Sequence, residues 1–292
     1  MLVVKGSSIQ QDFKNGLSMQ EVLAGTNPDM RIFRCTLKAG HEWKPEVYAF
    51  GDKTQFFMFM NPTGYVTTKD EAFNITHYAA FVPNYDAERF VIHAGKEDLE
   101  FWHFVGIMSE YDLTRMGNIH IELPRFRLFK DAWRYTEGHT GGVGSTCKSH
   151  MVLEHRFLGR YSMGWNYGKG PSLIGTHVHP DLEQWYFMLP GNKTTYTAGD
   201  ESVDVTEGDV TYTTTGTPHG SIVGEGDLIN YFWVELATDG IKPDANVYSA
   251  LRLSNSCVRR KKNEENFVLS ICFCIALCNG RRSFSGYGIG NC

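Results

Sequence analysis

Four side chains in the second half of the chain are of types that could share a cation. His177, His179 and Glu183 stand in Gly-Thr-His-Val-His-Pro-Asp-Leu-Glu, and His219 closes Gly-Asp-Val-Thr-Tyr-Thr-Thr-Thr-Gly-Thr-Pro-His. Side chains alternate faces along a strand, so His177 and His179 point the same way. A turn at Pro180-Asp181-Leu182 returns the chain, and Glu183 can join them. Three imidazoles and one carboxylate suit a first-row divalent metal and leave about two positions for water or substrate. Such an ion would polarise a carbonyl or enediolate oxygen, or take up dioxygen if it were iron. Glu183 would be a ligand or, swung away, a proton acceptor. Iron, manganese, zinc and nickel are not distinguished by these donors.

Strands must position this set. Gln184 to Leu189 is rich in β-formers, Gly208-Asp209 is a turn signal, and Val210 to Thr215 is another β run. Gly216-Thr217-Pro218 ends that run and delivers His219. Alternation from Glu183 carries Trp185 and Phe187 inward with the ligands. Trp185, Tyr212 and Asn230 are then expected to line a mostly aromatic substrate pocket with few polar anchors. Barrel core is the plainer reading of Trp185 and Phe187.

A His-x-His pair alone says little, since alternating histidines are common. The fuller pattern of His177, His179, Glu183 and Gly191, followed by Gly208, Asp209, Pro218 and His219, resembles the two signature motifs of the cupin superfamily. The first of these has the form His-x-His-x(3 or 4)-Glu and ends in Gly. The resemblance implies an all-β fold of cupin (double-stranded β-helix, jelly-roll) barrels, with His177, His179, Glu183 and His219 as the family's metal ligands. It covers dioxygenases, decarboxylases, isomerases and sugar-binding regulators, among which fold does not choose.

The rest of the chain supports an all-β reading with few short helices. Short apolar runs at 31–37, 55–60, 65–68, 77–82 and 99–108 are separated by turn residues. Ser18-Met-Gln-Glu21 is a capping-box pattern before Val22-Leu-Ala and Gly25, and predicts one short helix. Moving the first half onto the second by 129 residues lays Gln55-Phe-Phe-Met-Phe-Met on Gln184-Trp-Tyr-Phe-Met-Leu. The same ungapped shift lays Asp98–Val105 on Asp227–Val234. A duplicated unit, hence a bicupin, follows.

That shift puts Tyr48, Phe50, Thr54 and Phe90 opposite His177, His179, Glu183 and His219. The first barrel is therefore expected to hold no metal and to be filled by aromatics. His41, His77, His93 and His103 lack the signature spacing and read as structural or surface residues. The domain reading is a degenerate barrel over 1–115, a linker over 116–150, a metal-binding barrel over 151–240 and an atypical tail over 241–292. Ile119 to Leu123 alternates like a strand, possible material for exchange between barrels. Arg125 to Tyr135 reads as a linker packed across the domain interface. Gly138 to Gly144 holds four glycines and reads as a mobile loop, a lid if it lies at the metal mouth.

Hydrophobic content of 42% with 21% charged residues fits a globular chain with a sizeable core. A net charge of −5 gives no basic surface for nucleic acid. No apolar run reaches the ~18 residues needed to cross a bilayer. Sparse cysteines before residue 257 fit a reducing, cytoplasmic setting. The tail breaks character with Arg259-Arg-Lys-Lys262, an apolar stretch over 267–278 and five of the seven cysteines. It reads as a disordered or aberrant extension, as from an altered frame or splice, with a docked helix or membrane-touching segment as the alternative.

The expected partner is a small-molecule substrate, with a homodimer possible. The expected function is that of a metal-dependent enzyme on a small oxygenated organic substrate, dioxygenase-like or isomerase/lyase-like. A non-catalytic sugar- or acid-binding cupin and a storage-type bicupin remain as alternatives. Oxalate decarboxylases resemble the chain as bicupins but use metal in both halves, which this first half does not match.

Overall fold

The computed structural model describes residues 1–117, 121–136, 138–140 and 146–240. The atypical tail, the glycines at 141, 142 and 144, and Ile119 and His120 lie outside the described residues.

The described chain is built almost wholly of antiparallel strands in four sheets. In the first half, a seven-stranded sheet has Lys53–Phe59 between Ala79–Val82 and Leu99–Ile107. A four-stranded sheet of Glu42–Trp43, Val91–His93, Tyr65–Thr67 and Ala72–Asn74 goes with it. The second half repeats the plan. Leu182–Met188 lies between Val210–Thr213 and Leu228–Ala237, and Ser172–His177, His219–Val223, Lys193–Ala198 and Glu201–Thr206 form the smaller sheet. The duplication visible in the sequence is thus a duplication of topology.

The ladders refine its register. Gln55 pairs with Val105, whereas Gln184 pairs with Glu235. The closing strands are therefore related by 130 residues, one more than the ungapped shift. A one-residue slip exchanges the two faces of a strand. Val105, not Gly106, is therefore the counterpart of Glu235.

Each large sheet is completed by a strand that precedes the opposite half in sequence. Leu2–Val4 pairs with Val210–Thr213 of the second half, in register Leu2 to Tyr212. Arg125–Leu128 pairs with Ala79–Val82 of the first. The exchanged linker strand is thus Arg125–Leu128, while Ile121–Leu123 is not in a strand. Asp209 secures the arm. Its carboxylate accepts from the Gly6 amide at 2.9 Å and from Lys5 Nζ at 2.8 Å, and also from the Thr206 amide. Gly6 must lack a Cβ, because one there would lie 2.7 Å from the Gly208 backbone.

The helix expected from Ser18 to Ala24 is instead the strand Leu17–Val22. It pairs with Met30–Leu37 from Leu17–Leu37 to Val22–Ile32. Glu21, which would have closed the capping box, instead takes both prongs of Arg31 across the sheet, at 2.8 and 2.9 Å. A six-residue ladder with an apolar face outweighs one local cap. Among the described residues the one α-helix is Glu110–Gly117.

The two large sheets stack face to face. Phe56, Trp102 and Phe104 of the first meet Trp185, Phe187, Val210, Tyr212 and Phe232 of the second in one buried cluster. Trp102 and Phe187 lie 4.8 Å apart between ring centres, and Phe104 meets Phe187 edge-on at 5.4 Å. Arg160 pins the halves with charge: it reaches Asp112 at 2.9 Å, Asp29 at 2.7 Å and the Ile107 carbonyl at 3.0 Å.

Candidate metal centre

His177 ends the strand Ser172–His177, His219 begins the strand His219–Val223, and the two are direct partners across the ladder. His179 follows one residue into the turn. This brings His177, His179 and His219 together, with one ring nitrogen from each within 4.8 Å of the others. Ring centres are 4.4 Å apart for His177–His219, 4.9 Å for His177–His179 and 5.5 Å for His179–His219.

Backbone carbonyls orient two of the rings. His177 Nδ1 lies 2.8 Å from the Gly175 carbonyl and His219 Nδ1 lies 2.8 Å from that of Thr217. A carbonyl only accepts, so each Nδ1 carries the proton and each Nε2 offers a lone pair. His219 Nε2 is buried and has no protein partner. Burial pushes His219 down to about 4, opposed by the Thr217 carbonyl and reinforced by the neighbouring His177 and His139. A neutral, oriented, unsatisfied imidazole fits a metal ligand, and the three together fit a divalent ion.

Glu183 is not brought to this cluster. Its Oε2 accepts from Asn27 Nδ2 at 2.6 Å and from the Tyr212 hydroxyl at 2.8 Å. These groups lie on the face of Leu182–Met188 turned towards the first barrel. The expectation that Glu183, Trp185 and Phe187 point inward is corrected by one residue of strand phase. Gln184, Tyr186 and Met188 face the barrel interior, with Tyr186 and Met188 packed among Tyr196, Tyr231 and Trp233. Trp185, Phe187 and Tyr212 belong to the core between the barrels. Trp185 is fully buried and stacks on Tyr212 at 5.1 Å. Asn230 is also turned that way: it accepts from Trp165 Nε1 and donates to the Pro190 carbonyl, both at 2.9 Å. None of Trp185, Tyr212 and Asn230 lines the space at the histidines.

The carboxylate beside that space is Glu235, on the closing strand. Gln184 Nε2 donates to Glu235 Oε1 at 2.7 Å, Tyr186 donates to Gln184 Oε1 at 3.0 Å, and Ser162 donates to Glu235 Oε2 at 3.3 Å. Sequence offered two signals for this pair. The four-residue spacing of the motif falls on Gln184, an amide where the motif has Glu. A lone carboxylate within Leu-Ile-Asn-Tyr-Phe-Trp-Val-Glu-Leu-Ala is out of place in a buried strand unless it has partners.

The space itself is small, about 20 Å³, lined by His139, His177, His179, Gln184, Tyr186 and Glu235 among others. His139 covers it, stacked on His177 with ring centres 3.6 Å apart. Sequence spacing gave no sign of His139. His179 also borders a larger cavity of about 480 Å³ lined by His155, Arg156, Asp181 and Leu182. Among the described residues no helix is long and apolar enough to cross a membrane.

Residues 165–234 match the family model of the cupin domain. The fold is shared with a putative glyoxylate-induced protein of Pseudomonas aeruginosa, at TM-score 0.66 and 9% identity, over 82% of this chain and 89% of that one. It is shared with the oxalate decarboxylase of Lactobacillus farciminis, solved as a formate complex, at TM-score 0.61 and 12% identity over 89% and 96%. A cupin 2 conserved barrel domain protein of Leptotrichia buccalis aligns at TM-score 0.54 and 11% identity over 81% and 96%. No curated protein sequence matches the chain. Residues 165–234 thus carry a cupin domain, and the described chain has the tandem jelly-roll fold of those structures, with a histidine cluster in the second barrel.

Proposed function

We propose that the protein is a single-metal bicupin enzyme acting on a small oxygenated organic substrate at the second barrel. The convergence of His177, His179 and His219, with His219 Nε2 buried and unpaired, is the observation that carries this reading. The three imidazoles would hold one divalent ion, and the bound ion would supply Lewis-acid polarisation of a substrate oxygen. Glu235, rather than Glu183, is the carboxylate placed to hold or accept a proton there. Tyr186 and Gln184 orient it in series. Arg156 and Asp181, which line the larger cavity with His179, fit a substrate that carries an anionic or hydroxylated group. His139 must move off His177 to admit it.

The small space at the histidines favours a second reading, a metal-stabilised binding cupin without turnover. Room for about one water accommodates an ion but no organic molecule. The decisive experiment is metal analysis of the purified protein and of His177→Ala, followed by turnover and thermal-shift assays of the loaded protein with a panel of small acids and sugars. About one metal per chain, lost in His177→Ala, with turnover that falls in Glu235→Gln, supports the enzyme. Equal metal in both proteins refutes it, and stabilisation without turnover selects the binding cupin.

A further inference from the structure

Phe57, Phe59, Phe81, Phe90 and Phe101 pack the interior of the first barrel, but do not fill all of it. A cavity of about 480 Å³ opens within it, in the size range of small-ligand sites. Phe33, Trp43 and Val105 give it apolar walls, Tyr48 and Lys53 stand among its lining, and His103 faces it from the closing strand. By the repeat, Tyr48 takes the place of His177. The position of a cluster histidine in one barrel thus borders a pocket in the other.

His103 is the informative group. Gln55 Nε2 donates to the Glu46 carbonyl at 2.7 Å, which turns Gln55 Oε1 towards His103 Nε2 at 3.0 Å. An amide oxygen only accepts, so His103 Nε2 carries the proton and Nδ1 is a bare lone pair. The ring is 5% exposed, stacks on Phe57 at 4.5 Å and meets Trp43 edge-on at 5.5 Å. Its Nδ1 has no partner. Burial pushes His103 down to about 3, so the ring stays neutral and Nδ1 stays an acceptor. An unfilled buried acceptor in an aromatic-walled cavity asks for a donor on an apolar body.

The cations at the cavity differ in availability. Glu21 already holds Arg31 through two hydrogen bonds. Lys53 lies over the Tyr48 ring, its Nζ 5.1 Å from the centroid. We propose that the first barrel is a second, metal-independent binding site for a small hydroxylated aromatic acid. The ring packs against Trp43 and Phe33, the hydroxyl donates to His103 Nδ1, and the carboxylate pairs with Lys53. The proposal uses none of the residues of the metal centre.

Calorimetric titration of the whole protein with 4-hydroxybenzoate tests it, with benzoate and 4-methoxybenzoate as ligands that lack the donor. One saturable site with Kd below about 1 mM is expected, with each control ligand about tenfold weaker. Lys53→Met, a change at the cavity's charged edge, should weaken 4-hydroxybenzoate about tenfold. His103→Phe should bind 4-hydroxybenzoate and benzoate alike. Should that variant not fold, the methoxy comparison on the unaltered protein asks the same question. His177→Ala should bind as the unaltered protein does, which separates this site from the metal centre. No saturable heat, equal affinity for the three ligands, indifference to Lys53→Met, or loss of binding in His177→Ala would each overturn the proposal.

Discussion

Glu183→Gln separates the two roles that the carboxylate's position allows. In the structure Glu183 Oε2 receives two donors, Asn27 Nδ2 at 2.6 Å and the Tyr212 hydroxyl at 2.8 Å. Burial first, and then Glu183 itself, raise the Tyr212 phenol, so Tyr212 stays a neutral donor to the carboxylate. Hydrogen bonds to a charged acceptor are worth about 1.5–3 kcal/mol against about 0.5–1.5 for neutral ones. Glutamine keeps an oxygen for both donors but removes the charge, a loss of about 1 kcal/mol per bond. Partial exposure of Glu183 reduces the sum to about 1–2 kcal/mol, since solvent screens the charge. For a domain of this size that lowers Tm by a few degrees. Calorimetric Tm and metal content measured on the same preparation form the assay. The expected result is a lowered Tm with metal stoichiometry unchanged. Metal loss at unchanged Tm would show that Glu183 reaches the histidines, and the strand phase argued above would be wrong.

Other outcomes follow from the same geometry. Arg160→Met should cost about 3–5 kcal/mol in denaturant unfolding, because it strands the buried Asp112 carboxylate without its cation. Stability should fall as pH drops below about 6.5, the ordinary histidine value. His103 and His219 are depressed to about 3 and about 4, so the unfolded chain binds the extra protons first. The effect is absent above that pH and complete only near those lower values. Urea midpoints at pH 7 and pH 5 check it, and in His103→Phe the difference should shrink. His139→Ala should uncover His177 and speed metal release to a chelator, followed by absorbance of the metal–chelator complex.

Much of this fold was legible because its repeat has a strong phase. Gln55 and Gln184 occupy the same interior position in the two halves, and the sequence aligns them without help. The histidines were legible because a strand end and a strand start present them, and neither depends on the phase of the strand between. Glu183 was misplaced for a physical reason. Both faces of Leu182–Met188 are aromatic, one against the barrel interior and one against the other barrel, so hydrophobicity carries no period of two there. The phase is set instead by the partner strand, where Glu235 and Trp233 pair with Gln184 and Tyr186. The helix expected at 18–24 failed because pairing with Met30–Leu37, invisible to local propensity, recruits the segment. His139 approaches His177 only through tertiary folding, and no spacing encodes it.

The exchanged strands bear on the order in which the molecule can be assembled. Leu2–Val4 is made some two hundred residues before its ladder partner Val210–Thr213. Until that partner emerges the arm has no edge to join, and the first barrel lacks Arg125–Leu128 until the linker is made. Neither half can close from its own sequence alone. Expression of either barrel as an isolated fragment would leave an unpaired sheet edge and invite self-association.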